Sequence, residues 1–202
     1  MPKVVPEYKE EAKRRIMKHA TKLFSERGYS KTRMIDIAKS MGVSKGAIYQ
    51  YFRSKQDLLM SVLQTHTDTR GREVRKVLDS ENITAISTGE FFDRMLALRM
   101  GSLALGLDLL SEAATNRSVL QWIRGSYELW VEGLSGMIDG FITSGVIRRS
   151  VDSESLARGI LALRDGLYSA LDLGSDKSKA RRAWVTVMSS LMKEVLVESK
   201  TP

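Results

Sequence analysis

The chain has 202 residues, of which 43% are hydrophobic and 28% charged, and its formal net charge is +8. This composition is ordinary for a soluble globular protein of one large or two small domains. The sequence has no cysteine and only two, widely separated, histidines; this excludes disulfides and thiol catalysis, argues against a metal site, and leads us to expect no cofactor.

The first quarter of the sequence predicts a short helical module. Apolar residues at helical spacing begin after Glu7, and the helix that they predict stops at Gly28. A short helix follows Thr32 and ends at Gly42. Ser44 is a natural N-cap for another short helix, from Lys45 to about Tyr51. The side chains expected to form the core of this module are Ile16, Ala20, Leu23, Phe24, Ile35, Ala38, Val43, Ile48 and Phe52.

The remaining sequence also predicts helices only. Ser54 caps a long one, and the run 91–110 is apolar on most faces, which favours a central position in the body. The segments 118–144, about 153–173 and 178–198 are amphipathic, and no segment shows the alternation of a strand. In the segment 118–144, Gly133, Gly136 and Gly140 lie along one edge, where we expect a neighbouring helix to pack closely. The predicted fold class is all-α, with about nine helices.

The excess positive charge lies at one end of the chain. Residues 1–57 hold 14 Lys/Arg and 6 Asp/Glu, a net charge of +8, while residues 58–202 hold 18 of each. A basic module joined to a neutral one indicates a head that binds a polyanion and a body with another task.

Two short helices joined by a turn with a glycine, within this basic head, match a helix-turn-helix. The second helix offers small, hydroxyl, amide and charged groups for bases and phosphates, while residues before and after it are placed to hold the backbone. Tyr49 and Tyr51 are two residues apart and cannot share a face of the helix, so we expect one to contact DNA and the other to pack in part. The candidate DNA-binding residues are Thr32, Arg33, Ser44, Lys45, Gly46, Ala47, Tyr49, Gln50, Tyr51 and Lys55.

The segment from Thr32 to Lys55 reads TRMIDIAKSMGVSKGAIYQYFRSK, and it resembles the DNA-binding signature of the TetR family of transcriptional regulators. The resemblance is dense over about residues 14–60 and weaker beyond. It implies a three-helix DNA-binding head at 1–53, a larger helical body at 54–202, a homodimer on a palindromic operator in double-stranded DNA, and a small-molecule effector bound in the body.

Apolar side chains of the body suggest where the effector and a second subunit bind. Flexible and aromatic residues suit a lipophilic molecule such as an acyl-CoA, a fatty acid or a drug, and Arg99 would face an anionic or carbonyl group. The candidate ligand-binding residues are Phe92, Met95, Arg99, Trp122, Trp130 and Met137. The last two helices have apolar stripes that would pair with their copies. These candidate interface residues are Leu156, Ile160, Leu163, Leu167, Leu171, Trp184, Val187, Met188, Leu191 and Val195.

Together these features predict a cytoplasmic, ligand-responsive repressor that does not bind membranes. Two alternatives remain. A basic protein of membrane surfaces would need large apolar residues exposed beside its lysines. An all-α enzyme would need a nucleophile–base pair or a metal cluster, and neither occurs at a recognisable spacing.

Overall fold

The structure is a computed structural model that describes residues 6–77, 83–99 and 103–197. Within these ranges it contains nine α-helices, one short 3-10 helix and no strand, so the predicted all-α fold is confirmed. One antiparallel bridge joins Ile147 to Leu196. The helices are α1 (Pro6–Arg27), α2 (Met34–Met41), α3 (Lys45–Tyr49), α4 (Lys55–Val77), α5 (Gly89–Ala97), α6 (Leu103–Thr115), α7 (Arg117–Thr143), α8 (Ser153–Asp172) and α9 (Lys177–Val195); the 3-10 helix is Ile83–Ser87.

Helix ends in the head follow the signals in the sequence. Gly28 and Gly42 have φ values of 86° and 69°, in the left-handed region that glycine enters without the strain a Cβ would cause. Ser44 caps α3, because its side-chain oxygen accepts a hydrogen bond from the backbone N–H of Ala47 at 3.2 Å. Helix α3 ends at Tyr49, two residues earlier than predicted.

The apolar run 91–110 is divided between two helices, α5 and α6. Residues 100–102, within that run, lie outside the described residues, as do 78–82 and the predicted last residue of the final helix, Glu198. The sequence did not indicate the division, because apolar residues continue at helical spacing on both sides of it.

The chain divides into two compact units, whose boundaries fall within α4, after Arg99 and within α7. The first unit consists of the described residues within Met1–Asp68 and Met100–Ile123. Its core contains Phe24, Ile37, Ile48, Leu58 and Leu59 together with Leu105 of α6. Most of the predicted head core is confirmed, but Val43 is 40% exposed and Ile35 only half-buried. Val43 follows the left-handed Gly42 in the turn between α2 and α3, and its side chain remains largely in solvent.

The second unit consists of the described residues within Thr69–Arg99 and Arg124–Pro202. Its core is centred on Trp184 of α9, which lies 6.0 Å, between ring centroids, from both Phe91 and Phe92 of α5. The indole N–H of Trp184 donates to the backbone oxygen of Ile86 at 2.9 Å, so the polar atom of this buried ring is satisfied.

The predicted close packing at Gly133, Gly136 and Gly140 is wrong. All three residues are exposed, and a Cβ added to any of them would meet no atom within 4 Å. The apolar face of α7 that does pack, with Val131, Leu134, Ile138 and Phe141, lies beside this glycine edge rather than on it. None of the described helices combines the length and apolar character needed to cross a membrane.

Candidate nucleic-acid interface

Helix α3 is anchored by one side chain and open on the opposite face. Ile48 is fully buried in the core of the first unit, and Ala47 is half-buried. Ser44, Lys45, Gly46, Tyr49 and Gln50 are all exposed. The helix therefore presents a contiguous set of hydroxyl, ammonium, amide and backbone groups to solvent, which is the set that base edges and phosphates can bind.

Two of these exposed groups contact each other. The ammonium of Lys45 lies 5.4 Å from the ring centroid of Tyr49, a weak cation–π contact at an exposed site. Because Tyr49 is 43% exposed, its hydroxyl and ring edge remain open to a ligand. Tyr51 differs, because it is half-buried against the core of the first unit.

Arg33 is exposed at the start of α2 and is held by a reciprocal cap. Its backbone N–H donates to Asp36 Oδ2 at 2.9 Å, and its guanidinium donates to both oxygens of the same carboxylate at 3.1 Å. These hydrogen bonds lower the pKa of Asp36 and raise the pKa of Arg33. The Arg33 side chain is still 74% exposed, so it can contact a phosphate without leaving Asp36.

Thr32 does not offer its side chain to DNA in this structure, contrary to the prediction. The residue is completely buried, and its hydroxyl donates to the backbone oxygen of Gly28 at 2.8 Å. The backbone N–H of Thr32 also donates to Tyr29 at 3.1 Å. These bonds close the turn between α1 and α2, so Thr32 has a structural role that its position before a helix did not reveal.

Lys55 is also occupied within the first unit. Its ammonium donates to the backbone oxygens of Tyr29 and Ser30 at 3.0 and 3.4 Å, and it lies 4.1 Å from the ring centroid of Tyr29. Partial burial lowers the pKa of Lys55, and burial raises the pKa of Tyr29 to about 12. Lys55 therefore holds the turn after α1, and the contact with the DNA backbone predicted for it stays a prediction.

The six candidate ligand-binding residues do not form one group. Phe92 and Met95 are buried in the core of the second unit, while Trp130 and Met137 are half-buried against that core. Trp122 belongs to the first unit, where it lines a groove of about 520 Å³ together with Tyr51. The sequence could not separate Trp122 from Trp130, because both lie on the same long helix, α7.

Arg99 has a protein partner, and the ligand contact predicted for it stays a prediction. Its guanidinium forms two hydrogen bonds with the carboxylate of Asp172 in α8, one of them 2.8 Å long. It also lies 5.6 Å from the ring centroid of Tyr168. Asp108 of α6 lies in the first unit, where its carboxylate accepts a hydrogen bond from the backbone N–H of Ser30 at 3.1 Å.

The candidate interface residues of α8 and α9 fall into three groups. Val187 is 46% exposed. Leu156, Leu163, Leu167, Leu171 and Leu191 are half-buried against the core of the second unit. Ile160, Trp184, Met188 and Val195 are buried within that core. The buried four are used inside the chain, because α8 packs against α9, and α9 also covers α5 and the 3-10 helix.

Two polar residues of the second unit were missed by the sequence analysis. The Nε atom of Arg70 in α4 and the hydroxyl of Tyr168 in α8 are buried and have no hydrogen-bond partner among the described atoms. A signal was present. Arg70 follows Leu63 by seven residues and precedes Val74 by four, so it interrupts the apolar stripe of α4.

Within the described ranges, no group of three or more acidic or histidine side chains is placed to hold a metal ion. The polar chemistry of the first unit consists instead of exposed groups on α3 and the Arg33–Asp36 cap. This arrangement suits binding rather than bond cleavage.

Comparison with known proteins identifies the architecture. Residues 16–62 match the model of the bacterial regulatory proteins of the tetR family. The chain is 26% identical over 182 residues to the HTH-type transcriptional regulator YfiR of Bacillus subtilis, with 88% of each chain covered. These matches are to DNA-binding regulators, which sets aside the enzyme alternative.

Solved structures agree over nearly the whole chain. A TetR-family transcriptional regulator from Mesorhizobium loti superposes with a TM-score of 0.79 at 19% identity, covering 94% of this chain and 98% of that one. A transcriptional regulator from Saccharomonospora viridis in complex with choline has a TM-score of 0.68 at 25% identity, covering 94% and 100%. Residues 16–62, which hold the helix-turn-helix of α2 and α3, match the TetR family of transcriptional regulators, and the chain shares the fold of solved TetR-family structures over nearly its whole length.

Proposed function

We propose that the protein is a ligand-responsive repressor that binds a palindromic operator as a homodimer and leaves it when a small lipophilic molecule binds. The observation that carries this proposal is the exposed face of α3 in the part of the chain that holds all the excess positive charge. Residues 1–53 would contact DNA and residues 54–202 would bind the effector and the second subunit, in the cytoplasm, where the chromosome is accessible.

The proposed contacts follow from exposure. Helix α3 would enter the major groove with Lys45, Gly46, Ala47, Tyr49 and Gln50 toward the bases and adjacent phosphates, and two copies would bind half-sites about 35 Å apart. Arg33 would contact the backbone beside the groove, with Ser44 and Tyr51 at the edges of the contact. Thr32 and Lys55 would support this surface by holding the turn between α1 and α2.

Release by an effector requires that the effector bind better to the conformation that is unsuited to DNA. A coupling free energy of about 1–3 kcal/mol would change operator affinity by roughly 5- to 150-fold. The apolar and aromatic side chains of the second unit favour a lipophilic effector. A choline-like cation, as in the Saccharomonospora viridis complex, is the second candidate.

DNA fragments selected by the purified protein would give the operator, and binding to it would then be measured across a salt series. Affinity should fall by about 0.9 log units per tenfold increase in salt for each phosphate neutralised. Lys45→Ala should reduce that slope by about one phosphate contact, whereas Gln50→Ala should alter preference at particular base pairs.

Lys18→Ala provides the matched control, because Lys18 is an exposed lysine of the same head that lies on α1. It should leave the slope nearly unchanged. Affinity that does not depend on salt, or an equal effect of the Lys18 and Lys45 variants, would contradict binding through α3.

A further inference from the structure

A cluster of arginines and aromatic rings lies in the second unit. The guanidinium of Arg70 is 5.1 Å from the ring centroid of Trp130, and that of Arg164 is 5.9 Å from the same centroid. Arg99 lies over Tyr168, as described above. Tyr168 is 5% exposed, so the cluster reaches the core of the unit.

The arginines of this cluster are not equally paired. Arg99 is paired with Asp172, and Arg164 is paired with Asp165 at 2.8 Å. Among the described residues, no carboxylate lies within ion-pair distance of Arg70. Three cations and two anions leave a surplus of one positive charge, and Arg70 carries it.

The unpaired charge of Arg70 destabilises the ligand-free fold because much of the guanidinium is removed from water. Burial and the neighbouring charge of Arg164 lower the pKa of Arg70 to about 10, so the guanidinium remains protonated at neutral pH. A buried cation without an anionic partner, beside a buried hydroxyl without an acceptor, destabilises a folded protein unless another group binds there. Arg70 as a residue is still partly exposed, which leaves a route from solvent to the guanidinium.

We propose that this cluster binds the carboxylate of an amphiphilic monoanion, with Arg70 and the hydroxyl of Tyr168 as donors and the apolar part of the molecule against the aromatic core. The proposal rests on the ligand response proposed above and names the chemical class of the effector. A carboxylate matches the planar fork of a guanidinium, and a single negative charge balances the surplus. Phe92, whose ring centroid is 6.1 Å from that of Tyr168, lies where the apolar part would begin.

The competing explanation is that Arg70 is held by the face of Trp130 as a purely structural cation–π contact. The two explanations predict opposite effects on the ligand-free protein. If Arg70 is structural, Arg70→Gln lowers the melting temperature. If Arg70 is an unpaired charge that binds an anionic ligand, the same substitution leaves the melting temperature of the ligand-free protein unchanged or raises it.

Binding can be measured directly on the full chain without DNA, by calorimetry and thermal shift. Three probes share one alkyl chain and differ in the head group: decanoate, decanol and decyltrimethylammonium. Decanoate should bind and raise the melting temperature, decanol should bind more weakly, and the cation should not bind. Decanoyl coenzyme A, which has no free carboxylate, should also bind more weakly than decanoate, and the reverse order would overturn the carboxylate assignment.

The variants then locate the site. Arg70→Gln should raise the Kd for decanoate by roughly 10- to 100-fold, and Tyr168→Phe by roughly 3- to 10-fold, as expected for loss of a charged and a neutral hydrogen bond. Neither should change the Kd for decanol. Arg72→Gln is the matched control, since Arg72 is an exposed arginine on the same helix, and it should leave both Kd values unchanged.

Failure of this inference can be told apart from failure of the proposed function. Decanoate that binds through Arg70 without releasing operator DNA would support the site and contradict its role as the effector site. Release of DNA by decanol or by the cation, with no effect of Arg70→Gln, would support ligand response and overturn the carboxylate site. A lower melting temperature of ligand-free Arg70→Gln, without loss of decanoate affinity, would also overturn it.

Discussion

Thr32 and Lys55 show that a residue type suited to phosphate can also bind the backbone of its own chain. Both stand beside the helix-turn-helix in sequence, and both bind backbone oxygens of the turn between α1 and α2. The buried hydrogen bond of Thr32 is costly to break because the remaining carbonyl loses its partner without regaining water. These residues therefore support the DNA-binding surface by fixing the turn that precedes it.

Replacing Thr32 with valine should destabilise the head without removing a DNA contact. Thr32→Val keeps the shape of the side chain but leaves the oxygen of Gly28 without its donor, at a cost of about 1–3 kcal/mol. Urea denaturation measures this cost. Thr32→Ser, which retains the hydroxyl, should recover the hydrogen bond and lose only a buried methyl group. Equal stability of the valine variant and the unaltered chain would show that the bond contributes nothing.

Lys55 and Lys45 should respond oppositely to the same substitution. Lys55→Met should lower the free energy of unfolding by about 1–3 kcal/mol, because two carbonyl oxygens lose a charged donor. It should leave the salt dependence of DNA binding unchanged. Lys45→Met should keep stability and reduce the salt slope by about 0.9. If Lys55→Met reduced the salt slope of DNA binding and left stability unchanged, Lys55 would instead be a DNA contact.

Helices α1 and α6 meet at Gly28. Their contact at this point requires a residue without a side chain. The carboxylate of Asp108 in α6 occupies the space that a Cβ at Gly28 would need, and it accepts the backbone N–H of Ser30 from the same turn. Because Leu105 of α6 is buried in the same core, this helix is part of the unit that carries α2 and α3.

Alanine substitutions at Gly28 and Gly42, the two glycines of the first unit with left-handed φ, should separate the cost of backbone strain from the cost of disturbing the Asp108 contact. Gly42→Ala should cost about 1–2 kcal/mol, from φ alone, since nothing surrounds its Cβ position. Gly28→Ala should cost about 1 kcal/mol more, because the Asp108 carboxylate must also move away from Ser30. Urea denaturation of both variants measures the difference.

A second substitution isolates the Asp108 contact. If the extra cost of Gly28→Ala arises at that carboxylate, Asp108→Ala should reduce it, and the two changes should be non-additive. Additive free energies of unfolding would place the strain elsewhere in the turn.

At the scale of the whole molecule, the residues of α8 and α9 that remain accessible after folding limit which side chains can form the proposed homodimer interface. Four of the ten candidate interface residues are used in the chain's own core, so the interface must be built from the half-buried leucines and the exposed Val187. A twofold interface uses the same patch on both subunits, so one unfavourable charge is introduced twice.

Val187→Glu should therefore shift the protein toward monomers without unfolding it. Each subunit would bury one unpaired carboxylate in an apolar contact, which is strongly disfavoured, whereas an exposed valine contributes little to the stability of the single chain. Analytical ultracentrifugation measures the dissociation constant, and operator affinity should fall with it. Leu129→Glu is the control, because Leu129 is 59% exposed on α7. A dimer unaffected by Val187→Glu but broken by Leu129→Glu would locate the interface on α7.

The sequence by itself determined the features that depend on local order. Helical periodicity, the glycines at 28 and 42, the Ser44 cap and the charge of residues 1–57 each depend on neighbours along the chain, and they predicted the all-α fold and the helix-turn-helix. Only the tertiary structure decided which polar atoms find hydrogen-bond partners that are remote in sequence. Arg99 lies 73 residues from Asp172, and Ser30 lies 78 from Asp108.

Burial required the same information. Periodicity can show on which side of a helix or turn Thr32, Val43 and the glycine edge of α7 lie. It cannot show which neighbouring element, if any, covers that side. The free energy of each site depends on contacts that form only when remote helices pack together. For that reason the unpaired Arg70, which interrupts an apolar stripe in sequence, became a candidate site only when its surroundings in the second unit were known.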